Sequence, residues 1–460
     1  MGTSKWISGV ALGAVIALAA PSLAASPGAL ETHLIFSGET PGDEAGFQVE
    51  IADLDGDGIG DLVTGAWKND AGGDASGAVY IEYGPMTKGA SLSKADVKLF
   101  TSAAGEYVGE GPLGIADLNG DNAQELVIGA PGSHFVTQPA SPGKVGEAFL
   151  LYGGKRLRGE LSLHDVADVR FTGVHMTEWL GFGSSGVGDL DDDGLEEMLI
   201  GAPASVGFSG LGYLFYGSKK RLAGDVPVTD ADAILVGGRA GDMFGYEAAG
   251  GDVDDDGDDD LFVASRPHSG GPAAISMFEG GARMSGVVPA ATAFTTFPMT
   301  TVDVFVGPAL ASGSDVTGDG VDDLVAGVDP STNPVDAQTT YIFGGSKDAF
   351  ARGISVEAFA QIPGTGSAVA IGDVNGDRKA DVVTGAEYTD GGTTYLFYGP
   401  LPEGELGLDQ AGLTFVGEPN SLAGAALAIG SLDRDRRGDL AVGAPADAGR
   451  TYVVLGSRIR

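Results

Sequence analysis

The chain contains no cysteine and is poor in basic side chains. Of its 460 residues, only 26 are Lys or Arg against 64 Asp or Glu, so the formal net charge is -38. Without cysteine, neither disulfides nor thiolate metal sites can stabilise the fold. Nucleic acid is not expected as a partner, and neither is an anionic membrane surface, because both are themselves polyanionic.

Sequence signals of catalysis are missing as well. There are five histidines, and none has the HxxxH or HExxH spacing of a zinc site. No GxSxG nucleophile turn and no phosphate-binding P-loop occurs. Carboxylates are abundant but belong to the repeated pattern described below, so no glycosidase pair can be singled out. The sequence therefore predicts no catalytic residue and no enzymatic activity.

Only the amino end carries a long apolar run. It extends from Ile7 to Ala20, after Lys5 and before the small-residue stretch 21–25. A membrane anchor is the alternative interpretation, but Pro21 breaks the helix and favours a cleaved leader. We expect residues 1–25 to be a signal peptide cleaved near Ala24 or Ala25. Residues 26–460 would then be the mature chain, secreted to the extracellular space or periplasm without a membrane span.

What the chain has instead is a recurring acidic turn, first seen at residues 53–61. Asp53, Asp55, Asp57 and Asp61 alternate there with small residues. At about 5 Å and an effective dielectric near 20, each pair of these charges repels by roughly 3 kcal/mol. Hard oxygen donors without His or Cys favour Ca²⁺, with the carbonyl of Ile59 at position seven as a further ligand. The β-type run that follows predicts a calcium loop inside a β-hairpin rather than an EF-hand.

This turn recurs at intervals of 58 to 72 residues along the chain. Its first positions are Asp53, Asp117, Asp189, Asp252, Asp315, Asp373 and Ser431. A glycine-aromatic or glycine-small element precedes it, and a β run ending in Gly-Ala-Pro or a relative follows. Each unit contains four short strands, which predicts an all-β fold, a seven-bladed β-propeller of four-stranded blades. We expect residues 31–38 to complete the last blade, whose other strands lie between 424 and 456.

The combination of FG, DxDGDGxxD and GAP elements resembles the FG-GAP repeats of the integrin alpha-chain head, over roughly residues 30–460. The resemblance implies a seven-bladed propeller with calcium in hairpin loops on one face, and a protein or cell-surface ligand as partner. Carried over by position, the implied ligands in the other loops are Asp117, Asn119, Asp121, Ala123 and Glu125; Asp189, Asp191, Asp193, Leu195 and Glu197; Asp252, Asp254, Asp256, Asp258 and Asp260; Asp315, Thr317, Asp319, Val321 and Asp323; Asp373, Asn375, Asp377, Lys379 and Asp381.

The seventh turn, Ser431 to Asp439, departs from this pattern, so about six calcium sites are expected. Ser431 replaces the first aspartate, and Arg434, Arg436 and Arg437 add positive charge. We expect these guanidiniums to pair with Asp433, Asp435 and Asp439 in place of an ion. The tripeptide 437–439 reads Arg-Gly-Asp, and we interpret its aspartate as position nine of this turn rather than as an adhesion motif.

The predicted function is a non-catalytic, calcium-stabilised binding or adhesion module. Two alternatives remain open: a hydrolase or lyase acting on polysaccharide or lipid head groups, and a sugar-binding lectin propeller. Two irregular stretches, 132–146 and 205–212, could carry specificity, because loops on a rigid ring are common binding sites.

Overall fold

The computed structural model describes residues 33–132, 145–175, 178–266, 273–298, 309–328, 338–346, 357–389 and 391–459. Within these ranges the strands form seven sheets of four or five strands, which confirms the predicted seven-bladed propeller. The expected signal peptide and residues 133–144 of the irregular stretch 132–146 lie outside the described residues.

Each blade is built from four antiparallel strands. In blades 1 to 6 these strands follow one another along the chain from the ring axis outward, whereas the outermost strand of blade 7 is β1 (Leu34–Ser37), which precedes blade 1. Blade 1 contains β2 (Gln48–Ala52), β3 (Asp61–Ala66), β4 (Ala78–Glu82) and β5 (Val97–Phe100). Blade 2 contains β6 (Gly114–Ala116), β7 (Glu125–Ala130), β8 (Glu147–Leu151) and β10 (Val169–Thr172). Blade 3 contains β11 (Gly183–Gly186), β12 (Met198–Ala202), β13 (Leu211–Phe215) and β15 (Ala233–Val236).

The second half of the chain repeats this arrangement. Blade 4 contains β16 (Phe244–Gly251), β17 (Asp260–Ser265), β18 (Ala274–Phe278) and β20 (Thr295–Pro298). Blade 5 contains β21 (Ala309–Ser314), β22 (Asp323–Val328), β23 (Thr339–Phe343) and β24 (Ala360–Pro363). Blade 6 contains β25 (Val369–Gly372), β26 (Asp381–Ala386), β27 (Thr393–Phe397) and β29 (Leu413–Val416). Blade 7 contains β30 (Ala426–Gly430), β31 (Asp439–Ala444) and β32 (Arg450–Val454), completed by β1.

The ring closes as predicted. β1 pairs antiparallel with β32, with Leu34 opposite Val453 and Phe36 opposite Thr451. Phe36 is fully buried, in a cluster that also contains residues of blades 1 and 7. The first and last segments of the chain therefore share one sheet.

Four of the described blades also receive a fifth strand from the following blade, which was not predicted from the sequence. The segment after the third strand of one blade crosses to the preceding blade and adds a parallel strand to its outer edge. These fifth strands are β9 (Gly159–Ser162) on β5, β14 (Gly224–Pro227) on β10, β19 (Gly286–Pro289) on β15 and β28 (Gly404–Glu405) on β24.

Helix within the described ranges is limited to single turns, whereas no helical segment was expected. One is the α-helical turn α1 (Leu163–Val166). The turn α2 (Ser205–Phe208) contains the left-handed residues Val206 and Gly207. Turns of 3-10 helix span Leu92–Lys94, Val228–Asp230, Ala290–Thr292, Leu408–Gln410 and Gly456–Arg458.

The structure explains why glycine recurs in the FG-like element and in the Gly-Ala-like element of most units. The N–H of Gly181, at the FG position, donates to the carbonyl of Gly201 in β12 of the same blade, 3.0 Å away. A Cβ on Gly201 would in turn lie 1.9 Å from the carbonyl oxygen of Gly245, the FG glycine of the next blade. The same contact joins Gly443 of blade 7 to Gly46 of blade 1, where the distance would be 2.1 Å. These glycines therefore let adjacent blades touch through their backbones.

Candidate metal centres

The six aspartate loops share one hydrogen-bonded turn around their first residue. In loop 1, Asp53 Oδ1 accepts the N–H of Gly56 at 2.8 Å and of Asp57 at 3.1 Å, while Oδ2 accepts that of Gly58 at 2.7 Å. The first aspartate of every other loop accepts equivalent bonds: Asp117, Asp189, Asp252, Asp315 and Asp373. The position-one carboxylate thus draws the loop backbone around itself.

The loop backbone also repeats a pair of left-handed residues. Positions four and six both have positive φ in loop 1, with Gly56 at 77° and Gly58 at 82°, and in loop 5, with Gly318 at 86° and Gly320 at 92°. Where the sequence lacks glycine at one of these positions, Asn122, Asp192, Asp255 and Arg378 adopt the same conformation, with φ between 52° and 70°. Position five then accepts the N–H of position seven, as between Asp57 and Ile59 at 3.0 Å. The six loops therefore have one shape, despite differences in sequence.

Carboxylate oxygens converge inside three of these loops. One oxygen from each of three residues lies within 4.8 Å of the others in the sets Asp53, Asp55, Asp57; Asp189, Asp191, Glu197; and Asp252, Asp254, Asp256. Loops 2, 5 and 6 carry Asn119, Thr317 and Asn375 at position three, so they offer fewer carboxylates there. Within the described residues, Asp191 Oδ1 and Asp254 Oδ1 are buried and accept no hydrogen bond. A buried anionic oxygen without a donor fits a cation ligand.

The carboxylate at position nine has a second role that the sequence analysis missed. Asp61 is fully buried; its Oδ2 accepts the N–H of Leu54 at 3.0 Å, and its Oδ1 accepts that of Gly84, just after the third strand, at 2.9 Å. The same two bonds form at position nine of every other loop, at Glu125, Glu197, Asp260, Asp323, Asp381 and Asp439. This residue ties the loop to the end of the third strand of its blade.

Burial dominates the electrostatics of position nine. It raises the pKa of Asp61 to about 7 and that of Glu197 and Asp260 to about 8, while the backbone donors act in the opposite direction. The neighbouring loop carboxylates raise these pKa values further. At neutral pH such a group is most stable with a proton or a nearby cation.

The seventh loop differs in geometry as well as in sequence. The hydroxyl of Ser431 donates to the carbonyl of Asp433 at 3.2 Å, so it does not gather N–H groups as an aspartate does. Arg434 and Arg436, at positions four and six, are not among the residues with positive φ.

The expected pairing of Arg437 with loop carboxylates is wrong. Its guanidinium donates to the carbonyls of Gly456 at 3.2 Å and Ile459 at 3.4 Å, because the side chain follows the chain end instead of turning into the loop. Asp439 is fully buried as position nine, which agrees with our interpretation of the Arg-Gly-Asp tripeptide.

The loops are linked to one another around the ring. At five of the seven junctions, the position-eight N–H of one loop donates to the position-one carbonyl of the preceding loop, as from Gln124 to Asp53 at 2.9 Å and from Gly60 to Ser431 at 2.6 Å. In loops 2, 3 and 4 the position-eight side chain also accepts the preceding position-one N–H, at Gln124, Glu196 and Asp259. All of these loops therefore lie on one face of the propeller.

Comparison with known proteins agrees with this architecture. A family described as FG-GAP repeat matches residues 365–397, which end with β27 of blade 6. Integrin alpha pat-2 of Caenorhabditis briggsae is 30% identical over 230 residues, which is 48% of this chain and 18% of that protein. Integrin alpha-6 of Gallus gallus is 31% identical over 157 residues, 33% of this chain and 13% of that protein.

A relative of another class matches as well. Phosphatidylinositol-glycan-specific phospholipase D of Homo sapiens is 30% identical over 191 residues, 40% of this chain and 21% of that protein. The chain therefore spans at most about a fifth of the length of these curated relatives. Among the described residues, no helix has the length and apolar character needed to cross a membrane.

Proposed function

We propose that this chain, an FG-GAP repeat protein resembling the integrin alpha-chain N-terminal β-propeller, is an exported calcium-binding propeller. In this proposal it acts as a non-catalytic binding or adhesion module for a protein or cell-surface ligand. The similarity to integrin alpha chains supports a binding role. The repeated loop geometry supports calcium.

One observation carries the calcium proposal: six loops of different sequence adopt the same turn, and two of them bury a carboxylate oxygen that has no donor among the described residues. Positions one, three, five and nine would supply side-chain oxygens and position seven a carbonyl. Calcium accepts six to eight oxygens in flexible geometry, which suits this donor set better than the strict octahedron of magnesium. The seventh loop lacks the turn and is proposed to hold no ion.

Neutralising one ligand tests calcium binding. We expect Asp256→Asn to lower the number of calcium ions bound per chain by one, because it removes a position-five carboxylate. Calcium titration by calorimetry should extend to about 10 mM, since extracellular sites often bind near 10⁻⁴ to 10⁻³ M, roughly. Asp255→Asn, at the left-handed position four of the same loop, is the matched control and should leave the count unchanged. A wild-type chain that binds no calcium would overturn the proposal.

We place the ligand-binding surface on the face opposite the metal loops. The stretch 205–212 joins β12 to β13, whereas the metal loop joins β11 to β12 at the other end of these strands. Within this stretch, the side chain of Val206 is 64% exposed and its backbone φ is 50°. A β-branched residue in this conformation is an outlier, and such strain is concentrated at functional sites.

Cell-surface capture tests this placement. We expect Val206→Asp to weaken binding of the purified chain to a panel of cultured cells. Val287→Asp is the matched control, because Val287 is 69% exposed on β19 at the outer edge. Equal binding by the two variants would remove Val206 from the binding surface.

The phospholipase D relative supports a second candidate, a hydrolase acting on lipid head groups. Turnover of a glycosylphosphatidylinositol substrate by the purified chain, abolished by one substitution outside the metal loops, would favour it. A chain that binds cells without such turnover favours the binding module.

Export is part of the proposal. We propose that residues 1–25 are removed and that residues 26–460 form the mature propeller. Mass spectrometry of the protein from the medium or periplasm should find an amino terminus near Ala25 or Ser26. An intact amino terminus on the exported protein would count against a cleaved leader.

A further inference from the structure

An arginine from blade 2 reaches the metal loop of blade 1. The Arg156 guanidinium forms ion pairs with Asp55 Oδ2 and, at 3.0 Å, with Asp57 Oδ2, at positions three and five of loop 1. It also stacks on the ring of Tyr83, 5.0 Å from the centroid, and the Tyr83 hydroxyl accepts the N–H of Leu157 at 2.9 Å. The arginine is therefore held by two neighbouring blades.

The same arrangement recurs at the next two loops. Arg221 pairs with Asp121 at 2.6 Å and stacks on Tyr152, and Arg283 pairs with Asp191 and, at 2.5 Å, with Asp193 while stacking on Tyr216. Each tyrosine hydroxyl again accepts the N–H of the residue after the arginine. Because the same contact occurs at three loops, it is not explained as an incidental surface ion pair.

The ion pair with the arginine leaves a carboxylate oxygen inside the loop available to a metal ion. Asp191 is the clearest case, because its side chain is only 5% exposed. Arg283 takes Oδ2, while Oδ1 is buried and accepts no hydrogen bond from any described residue. The guanidinium and an ion can thus contact opposite oxygens of one carboxylate.

We propose that Arg156, Arg221 and Arg283 are resident counter-ions of loops 1, 2 and 3, which keep these loops folded without calcium and weaken their calcium affinity. This inference rests on the proposed calcium binding. A guanidinium offsets part of the carboxylate repulsion when no ion is bound, and it repels the ion when one arrives. The three arginines are positioning residues, and they distinguish loops 1 to 3 from a loop without such an ion pair.

Loop 5 can be compared with loops 1 to 3 within the same chain. The segment that would carry its arginine follows β27 and runs over residues 399–412, which contain neither Lys nor Arg. Loop 5 should therefore depend on calcium for its order more than loops 1 to 3 do. A unit charge and a divalent ion about 6 Å apart in water repel enough to change affinity about tenfold.

The test uses the full chain and compares Arg156→Gln with Arg158→Gln. Arg158 lies two residues away and pairs with Asp96 outside the metal loops, so it is the matched control. We expect Arg156→Gln to lower the melting temperature in EDTA by several degrees and to tighten one calcium site about tenfold by calorimetry. Both effects should be smaller in the presence of Asp57→Asn, which removes one of the two loop carboxylates that pair with Arg156. Arg158→Gln should show neither effect.

The possible results distinguish the counter-ion role of the arginines from the proposed calcium binding. If wild-type protein binds no calcium, the proposed function fails. If wild-type protein binds calcium but Arg156→Gln weakens that binding or leaves it unchanged, the counter-ion role is wrong and calcium binding stands. Arg156→Lys should restore most of the stability in EDTA, because it restores the charge.

Discussion

At the scale of single residues, position nine of each loop joins three parts of a blade. Its buried carboxylate receives one N–H from the loop and one from the glycine after the third strand. The bonds persist at Asp439 in the seventh loop, which has lost the first aspartate. The residue is therefore structural in its own right, whatever it contributes to an ion.

Removing Asp439 should test this structural role apart from calcium. Asp439→Ala leaves the N–H groups of Leu432 and Gly456 without their partner, at a cost of about 1–3 kcal/mol each. We expect chemical denaturation to show a corresponding fall in the free energy of unfolding, equal in EDTA and in calcium. Asp433→Asn, in the same loop, retains its acceptor oxygen and should change little. A loss seen only with calcium would contradict the structural role.

Positions one, three and five could be predicted from sequence because alternating carboxylates in a turn converge through local geometry alone. The second role of position nine could not, since its partner Gly84 follows the loop by a whole hairpin. The arginine pairs were missed for a related reason: Arg156 and Asp55 are about a hundred residues apart and meet only because blades pack in a ring. For Arg437 the expectation of a nearby carboxylate overlooked the backbone carbonyls at the chain end.

At the scale of the element, the blades meet through glycine backbones. The FG and GAP glycines bind one another within a blade and touch the next blade without side chains. The recurrence of these motifs predicted the repeat, but their function became evident only from the contact. The exchanged fifth strands were not predictable, because β9 and β14 carry short polar stretches that match no buried-strand pattern.

Adding one methyl group at this contact should be costly. Gly201→Ala would place a Cβ 1.9 Å from the carbonyl of Gly245, so two blades must separate. We expect the free energy of unfolding to fall by at least about 3 kcal/mol. Gly238→Ala is the control, because nothing lies within 4 Å of its Cβ and its φ is not positive; it should stay within about 0.5 kcal/mol of wild type. Similar melting of both variants would contradict the inter-blade contact.

At the scale of the whole molecule, one short strand closes the ring. Deleting residues 26–40 removes β1 and leaves the edge of β32 unpaired, which invites aggregation. We expect the truncated chain to melt far below wild type or to aggregate, measured by calorimetry and light scattering. Phe36→Ala should lower stability by about 3–5 kcal/mol, whereas exposed Ser37→Ala should not. Unchanged melting after truncation would contradict the closure.

Two carboxyl groups near the ring axis should make stability depend on pH. Burial and then the charge of Glu247 raise the pKa of Glu50 from 4.5 to about 8; burial raises that of Glu247 to about 7. These groups lie on β2 and β16, the inner strands of blades 1 and 4, and Glu247 Oε1 accepts the N–H of Leu310 at 3.0 Å. Both bind protons more tightly when folded, so stability falls as pH rises from about 4.5 to about 8.

Glu50→Gln should reduce this loss. Denaturation in saturating calcium between pH 5 and 8.5 should show the variant gaining stability over wild type as pH rises. Glu405→Gln, on the exposed strand β28, should follow wild type. A variant curve parallel to wild type throughout would exclude Glu50 as a source of the pH dependence.

The sharing of a sheet by β1 and β32 has a consequence for biosynthesis. Residues 34–37 are translated long before their hydrogen-bonding partner at 450–453. The nascent polypeptide must therefore keep a β-forming segment unpaired until residues 450–453 have been made. A ribosome stalled before codon 450 would hold a propeller whose last blade is incomplete. Chaperone occupancy of residues 34–37 should consequently persist until residues 450–453 leave the ribosome.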